Sequence, residues 1–447
     1  MEEENKNKIE ISVLKGDKLF NENTPFIINI TSPEPEIDDK KCSADLICII
    51  DVSGSMSGEK IELVKESLKI LVNMMDKKDR LALVLFSSSA NIEFELNYLT
   101  DDTKKELNNK ISQIRAGGGT NILSGLEQAV EILKKEKNNT TNDERVSSIL
   151  LLSDGCDNYN DDVSLADSLK NLTKGMGLSF TLHTFGYGYD HDPKIMNKLA
   201  NIRDGSFFLV EDYKKVGEYF VMVLGGCVSV ISKKVDLNVK LLNKGAKIVK
   251  IFGEENLYSY ELKPEYFKTS MLQFICGKEY TFVLEIKIDK NVKIGDELLD
   301  IDFTYEDITE KKSNTLKKKY KLELQDLNYD KANEEYIRSH VYDVLEKALK
   351  SRENYGNKEA KKMLKDVEEW LKKEYKGTHK EYLEDIVKAQ NLFEDEEIFN
   401  TRGISYVTCQ IREKQSKRTS NMDYCNSIQR HYGQTAQLPL KKFNNKI

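Results

Sequence analysis

The sequence predicts an α/β protein: a doubly wound, mostly parallel sheet inserted in an antiparallel β-sandwich, followed by a small C-terminal helical bundle. Three patterns predict it. Apolar runs alternate with helix-spaced apolar stripes between residues 45 and 185, polar and apolar residues alternate at 8–30 and 228–325, and helical spacing returns from 329 to 393.

The elements follow in order. Lys8–Leu14 and Phe26–Ile30 have the period of two expected of strands with one face in a core. Pro33 and Pro35 mark a crossing to a different region. There, runs at 45–50, 81–86, 148–152 and 179–185 are short, continuous and rich in Ile, Leu and Val, as strands covered on both faces are. Ile61, Val64, Leu68, Leu71 and Val72 fall at helical spacing between the first two runs, and Leu126, Ala129, Val130 and Leu133 do so before the third. Tyr219–Ile231, interrupted by Gly225 and Gly226, is too short to cross a bilayer and reads as a helix running into a strand.

Alternation then returns at Val235–Leu241, Thr281–Ile288 and Lys319–Leu324, the habit of a half-exposed antiparallel sheet. Pairing residues 8–32 with 228–325 makes one sandwich into which the central region is inserted, since a doubly wound unit tolerates close termini. From Tyr329, apolar positions including Tyr336, Leu345, Val367, Trp370, Tyr382 and Ile386 give three helices separated at Gly356 and Gly377, with the sole Trp assigned to the core. The expected divisions are 1–40 (N-terminal strands joining the sandwich), 41–226 (doubly wound domain), 227–326 (sandwich), 327–396 (helical bundle) and 397–447 (basic extension).

The chemistry concentrates at strand ends. Asp51, Ser53 and Ser55 directly follow the run Leu46–Ile50, Thr120 follows three glycines at 117–119, and Asp154 follows Ile149–Ser153. In a doubly wound sheet ligands bind outside the carboxyl ends of the strands. Oxygen-only donors with no His or Cys suit a hard cation such as Mg²⁺, with Mn²⁺ or Ca²⁺ left open. The constellation resembles the metal-ion-dependent adhesion site of von Willebrand factor type A (VWA) domains, Asp-x-Ser-x-Ser, then Thr, then Asp, with all five positions present.

Phe185–Pro193 and Asp204–Phe208 are similar to the closing segments of such domains in the inter-α-trypsin-inhibitor heavy-chain and plant RING-protein groups. The resemblance is specific over about residues 42–224. It implies that Ser53, Ser55 and Thr120 coordinate the ion directly, that Asp51 and Asp154 supply negative charge, one or both through water, and that a partner's Glu or Asp completes the shell. The C-terminal part, including Gly403–Val407 and Ser416–Arg418, looks like the VWA/Hedgehog-intein-associated region, but without a RING, a U-box or a self-splicing module.

Composition narrows the classes. With 39% hydrophobic and 32% charged residues the chain reads as soluble and globular, and its acidic N-terminus lacks a signal peptide's apolar stretch. Seven cysteines without framework spacing, and no Cys-x-x-Cys pair, predict reduced thiols, no zinc finger and a cytoplasmic location. Residues 410–447 carry eight Lys or Arg against two acids, a tail read as a solvated extension, with an acidic partner or nucleic acid as the alternative.

No nucleophile, general base or phosphate-cradling Lys follows the strand ends, and Gly117–Gly119 lacks the nucleotide-loop form. Neither catalytic nor organic-cofactor-binding residues are therefore expected. His183 reads as a core residue, and Asp190, His191 and Asp192 as a surface turn before Pro193. The expectation is a non-enzymatic, intracellular interaction module that binds a partner's acidic side chain through Mg²⁺. The alternative is a structural component of a larger complex in which the ion is incidental.

Overall fold

The computed structural model describes residues 8–35, 42–139, 145–188, 191–210, 213–254, 257, 259–324, 329–374, 379–416 and 428–429. Strands β1 (Glu10–Lys15) and β2 (Thr24–Thr31) open the chain as an antiparallel pair. The chain then enters the central region: β3 (Ser43–Asp51), α1 (Glu59–Met74), β4 (Arg80–Phe86), β5 (Ala90–Tyr98), α2 (Asp101–Gln113), α3 (Ile122–Asn139), β6 (Arg145–Ser153), α4 (Asp162–Thr173), β7 (Phe180–Tyr187), α5 (Pro193–Ile202), β8 (Phe207–Val210) and α6 (Tyr213–Val228). Its six strands order as β5-β4-β3-β6-β7-β8, all parallel except the edge strand β5. One apolar core on each face of this sheet explains the unbroken apolar strands: Leu46, Cys48 and Ile50 pack with α1 and α6, and Ile47 and Ile49 with α3, α4 and α5.

After β9 (Val230–Ser232) come β10 (Val235–Leu241), β11 (Ala246–Ile251), β12 (Ser259–Lys263), β13 (Tyr266–Met271), β14 (Phe274–Ile275), β15 (Glu279–Ile288), β16 (Glu297–Glu306) and β17 (Ser313–Lys321). β1 and β2 join β15 and β11 in one antiparallel sheet, and β12, β13, β10, β16 and β17 form a second. Their inward residues, among them Phe26, Ile28, Leu237, Phe267, Leu284 and Phe303, share one core. The N-terminal strands therefore complete a sandwich built mostly from sequence beyond residue 228, and the doubly wound region is inserted between them.

Helices α7 (Tyr329–Tyr355), α8 (Asn357–Glu374) and α9 (Lys380–Glu394) form the expected bundle, and a fourth helix, α10 (Ile404–Ser416), packs along α7. α10 departs from the solvated extension expected there. Val407 and Ile411 enter the helical core, and buried Arg412 donates to the carbonyl oxygen of Asn197 (3.2 Å) in α5 and to that of Gly205 before β8. The remainder of the basic tail lies outside the described residues, except for Ile428 and Gln429, whose Nε2 donates to Met222 O of α6 (2.8 Å).

Bundle and sandwich meet at a buried carboxylate. Glu285 of β15 accepts from Tyr336 Oη (2.7 Å), Asn21 Nδ2 (3.0 Å) and Asn23 Nδ2 (3.2 Å), so three neutral donors satisfy it. Beside it Phe20 stacks on His340 at 3.6 Å and tilts on Trp370 at 4.5 Å, which places the sole Trp against the bundle core.

Burial pushes the His340 imidazole down to about 4, with the charge of Asp343 opposing that shift. A base with a depressed native pKa binds fewer protons folded than unfolded, so stability is present above about 6.5 and is lost as pH falls toward 4. The lost stability should reach about 3 kcal/mol at most. Denaturant titration of wild type and His340→Phe at pH 7 and pH 4.5 checks this, and an identical pH dependence in the two proteins would remove His340 as a cause.

Candidate metal centre at the strand ends

Asp51 is the last residue of β3, one residue beyond the pairing of Ile50 with Leu152 of β6, and Ser153 ends β6. The chain leaves β3 through α1 toward β4 on one side, whereas β6 lies on the other, so the gap between these two strand ends is the topological switch point. The side chains bridge that gap: Ser153 Oγ donates to Asp51 Oδ2 at 2.5 Å, and Ser53 N donates to Asp51 Oδ1 at 2.8 Å. Asp51 is fully buried, and desolvation pushes its carboxyl up to about 6; the hydrogen bonds from Ser153 and Ser53 oppose that rise and the charge of Asp154 adds to it.

Two further loops are fastened to this one. Gly54 N donates to Gly118 O (2.9 Å) and Gly117 N to Val52 O (2.7 Å), tying the glycine loop to the Asp51–Ser55 turn. Gly118 has φ +93°, a conformation that a side chain at this position would strain. Thr120 and Asn158 clasp each other, Thr120 N donating to Asn158 Oδ1 (2.7 Å) and Asn158 N to Thr120 O (2.9 Å), which binds the glycine loop to the segment after β6. Asp157 Oδ2 accepts from Ile122 N (2.7 Å) at the start of α3. Asp154 is fully buried, and its backbone oxygen accepts from Asp192 N (2.9 Å).

The structure thus ties the three loops that carry the five sequence-predicted positions into one cluster. Asp51, Ser53, Thr120 and Asp154 are buried and Ser55 is exposed at the rim, with Ser53 Oγ and Ser55 Oγ 3.0 Å apart. Neighbouring oxygens of an octahedral Mg²⁺ shell, at about 2.1 Å from the ion, are separated by about 3 Å, so the hydroxyl pair and the all-oxygen donor set fit such an ion. Among the described residues no group of three or more His, Cys, Asp or Glu side chains gathers where a metal could sit, so any site here depends on hydroxyls as well as its two carboxylates.

Sequence reasoning missed Ser153, Asn158 and Lys60. Lys60 Nζ lies 3.1 Å from Asp154 Oδ2, from the first turn of α1. Nothing local marks these residues, because each meets its partner across 38 to 102 positions of chain.

The secondary candidates resolve differently. His183 is half-buried on β7, where it accepts from Ser206 N (3.0 Å) and contacts Thr181 Oγ1 (3.2 Å). His191 is buried, contrary to the surface turn expected there, because its Nδ1 reaches Gly188 O (2.6 Å) and its ring lies against Gly186. Asp192 caps α5, and Asp190 lies outside the described residues. Cys48 and Cys227 are buried, and Cys425 lies outside the described residues. Among the described residues no helix is long and apolar enough to cross a membrane.

The profile of the von Willebrand factor type A domain matches residues 45–220, about two fifths of the chain, and does not extend to the C-terminal helices. Uncharacterized protein sll0103 of Synechocystis sp. is 26% identical over 209 residues, 46% of this chain and 47% of that protein. Mouse inter alpha-trypsin inhibitor heavy chain 4 is 32% identical over 160 residues, 35% of this chain and 17% of that protein. The chain thus spans less than half the length of these curated relatives.

Two solved structures share the wider architecture. A von Willebrand factor type A protein from Catenulispora acidiphila has a TM-score of 0.66 at 15% identity, covering 86% of this chain and 90% of its own. The ArnB paralog VWA2 from Sulfolobus acidocaldarius has a TM-score of 0.55 at 16% identity, covering 91% and 99%. At such identity the likeness concerns fold alone.

Proposed function

Since residues 45–220 are a von Willebrand factor type A domain, we propose that the protein is an intracellular, non-enzymatic interaction module that binds an acidic side chain of another protein through a Mg²⁺-occupied site. Domains of this type generally serve protein–protein interaction and adhesion and are generally non-enzymatic. Ser53, Ser55 and Thr120 would hold the ion through their hydroxyl oxygens, and Asp51 and Asp154 would supply the balancing charge. The bound ion supplies Lewis acidity toward a carboxylate from outside. Ser55, alone of the five in being exposed, marks the side on which that carboxylate approaches.

The observation that carries the reading is the fastening of all three loops at the switch point. Asp51 bonds to Ser153, Gly54 to Gly118, and Thr120 to Asn158, so the donors are pre-placed before any ligand arrives. Lys60 favours a second reading. Its ammonium already neutralises Asp154, and a site satisfied in this way could belong to a structural component of a larger complex in which the ion is incidental.

Affinity capture from the source cell separates the two readings, using wild type in Mg²⁺, wild type in EDTA and Ser53→Ala. Loss of the same partners in both perturbed samples, with melting unchanged, is the expected result. A partner list that is the same in all three samples would hand the conclusion to the structural-component reading.

A further inference from the structure

Resting on that metal-site reading, we infer that Lys60 is a built-in counter-cation that sets the affinity of the site for divalent ions. Lys60 Nζ and Asp154 Oδ2 are 3.1 Å apart, with the lysine side chain 18% exposed and the aspartate 1%. The lysine projects from the first turn of α1, which begins four residues after Ser55, whereas Asp154 belongs to the loop after β6. Tertiary folding therefore places a fixed positive charge on one of the two carboxylates that would balance a metal.

Two consequences follow. Without metal, the ion pair compensates a buried carboxylate that would otherwise be uncompensated, so the loop after β6 is held in place and the cluster does not need an ion in order to fold. With metal, the ammonium repels the incoming divalent charge at short range, in surroundings less polar than water, and lowers its affinity.

The test uses the full chain as wild type, Lys60→Met and Lys60→Arg, titrated with MgCl₂ in a calorimeter and melted in EDTA. Lys60→Met should bind Mg²⁺ about tenfold more tightly than wild type and melt at a lower temperature in EDTA, with Mg²⁺ restoring the loss. Lys60→Arg keeps the charge and should match wild type in both measurements.

Wild-type uptake of Mg²⁺ combined with equal or weaker binding by Lys60→Met would overturn the inference and leave the metal site standing. Failure of all three proteins to take up Mg²⁺ would overturn the metal reading itself and this inference with it. Equal melting of Lys60→Met and wild type in EDTA would show that the ion pair does not hold the loop, and would overturn that half of the inference.

Discussion

Asp51→Asn is expected to lower Mg²⁺ affinity at least about 100-fold while leaving the melting temperature at pH 7.5 equal or higher. On the proposed metal site, the loss would follow from removing one of the two negative charges placed to balance the ion, at a position where Asp51 is fully buried. The stability side follows from its pKa. Burial lifts the Asp51 carboxyl to about 6, so the native state binds a proton more readily than the unfolded chain does. The stability tied to that proton is whole below about 4 and is lost as pH rises through about 6, which makes the ionised form at neutral pH a cost of roughly 3 kcal/mol. Asn keeps the shape and one acceptor for Ser53 N without the charge. Calorimetric titration with MgCl₂ and a melting curve measure both effects. Binding within threefold of wild type would sink the metal assignment, and a large drop in melting temperature would show that the charge serves the fold.

Asp45→Ala should do the reverse, costing about 3–5 kcal/mol of stability and leaving Mg²⁺ affinity unchanged in the folded protein. Asp45 sits on β3 six residues before Asp51, which over extended backbone is about 20 Å away, at the amino end of the sheet. Arg80 grips it with two bonds, Nε to Oδ1 (2.8 Å) and Nη2 to Oδ2 (2.7 Å), and Arg145 Nε adds a third (2.7 Å). The hydrogen bond that Arg80 donates to Asp45 leads the causes that raise the Arg80 pKa, ahead of the burial that opposes the rise. Truncation strands guanidinium charge in a site where Asp45 is 5% exposed and the two arginine side chains 10% and 12%. Glu136, which Arg80 also meets at 2.6 Å, and the carbonyl oxygens of Lys78 and Ala44, which Arg145 meets at 3.1 Å, compensate only in part. Urea unfolding reads the stability, and a midpoint within error of wild type would refute the claim that this cluster holds the sheet's amino edge.

Much of this molecule was legible in local pattern. Leu46–Ile50 is apolar on both sides because β3 lies between two other strands with helices on both faces, and Val235–Leu241 alternates because β10 has one face in the sandwich core. The edge strand β5 was missed because Ala90–Tyr98 mixes Glu and Asn with scattered apolar residues and only half faces a core. The helix α10 was missed for a related reason. Ile404–Ser416 is polar enough to read as tail, and its apolar positions gain meaning only against α7 and the central region.

The sequence by itself determined the order of sandwich, doubly wound region and helices, though neither β5 nor α10, and it marked five oxygen-bearing positions as candidates. A buried strand, an amphipathic helix and a polar turn at a strand's end each leave their mark within ten or twenty residues. Only the tertiary structure decided that Ser153 anchors Asp51, that Asn158 clasps Thr120, that Lys60 stands on Asp154 and that Arg412 ties α10 to Gly205. Those contacts join residues 38 to 207 positions apart, and hydrophobic period carries no information about which distant polar groups the closed fold will bring within hydrogen-bonding distance.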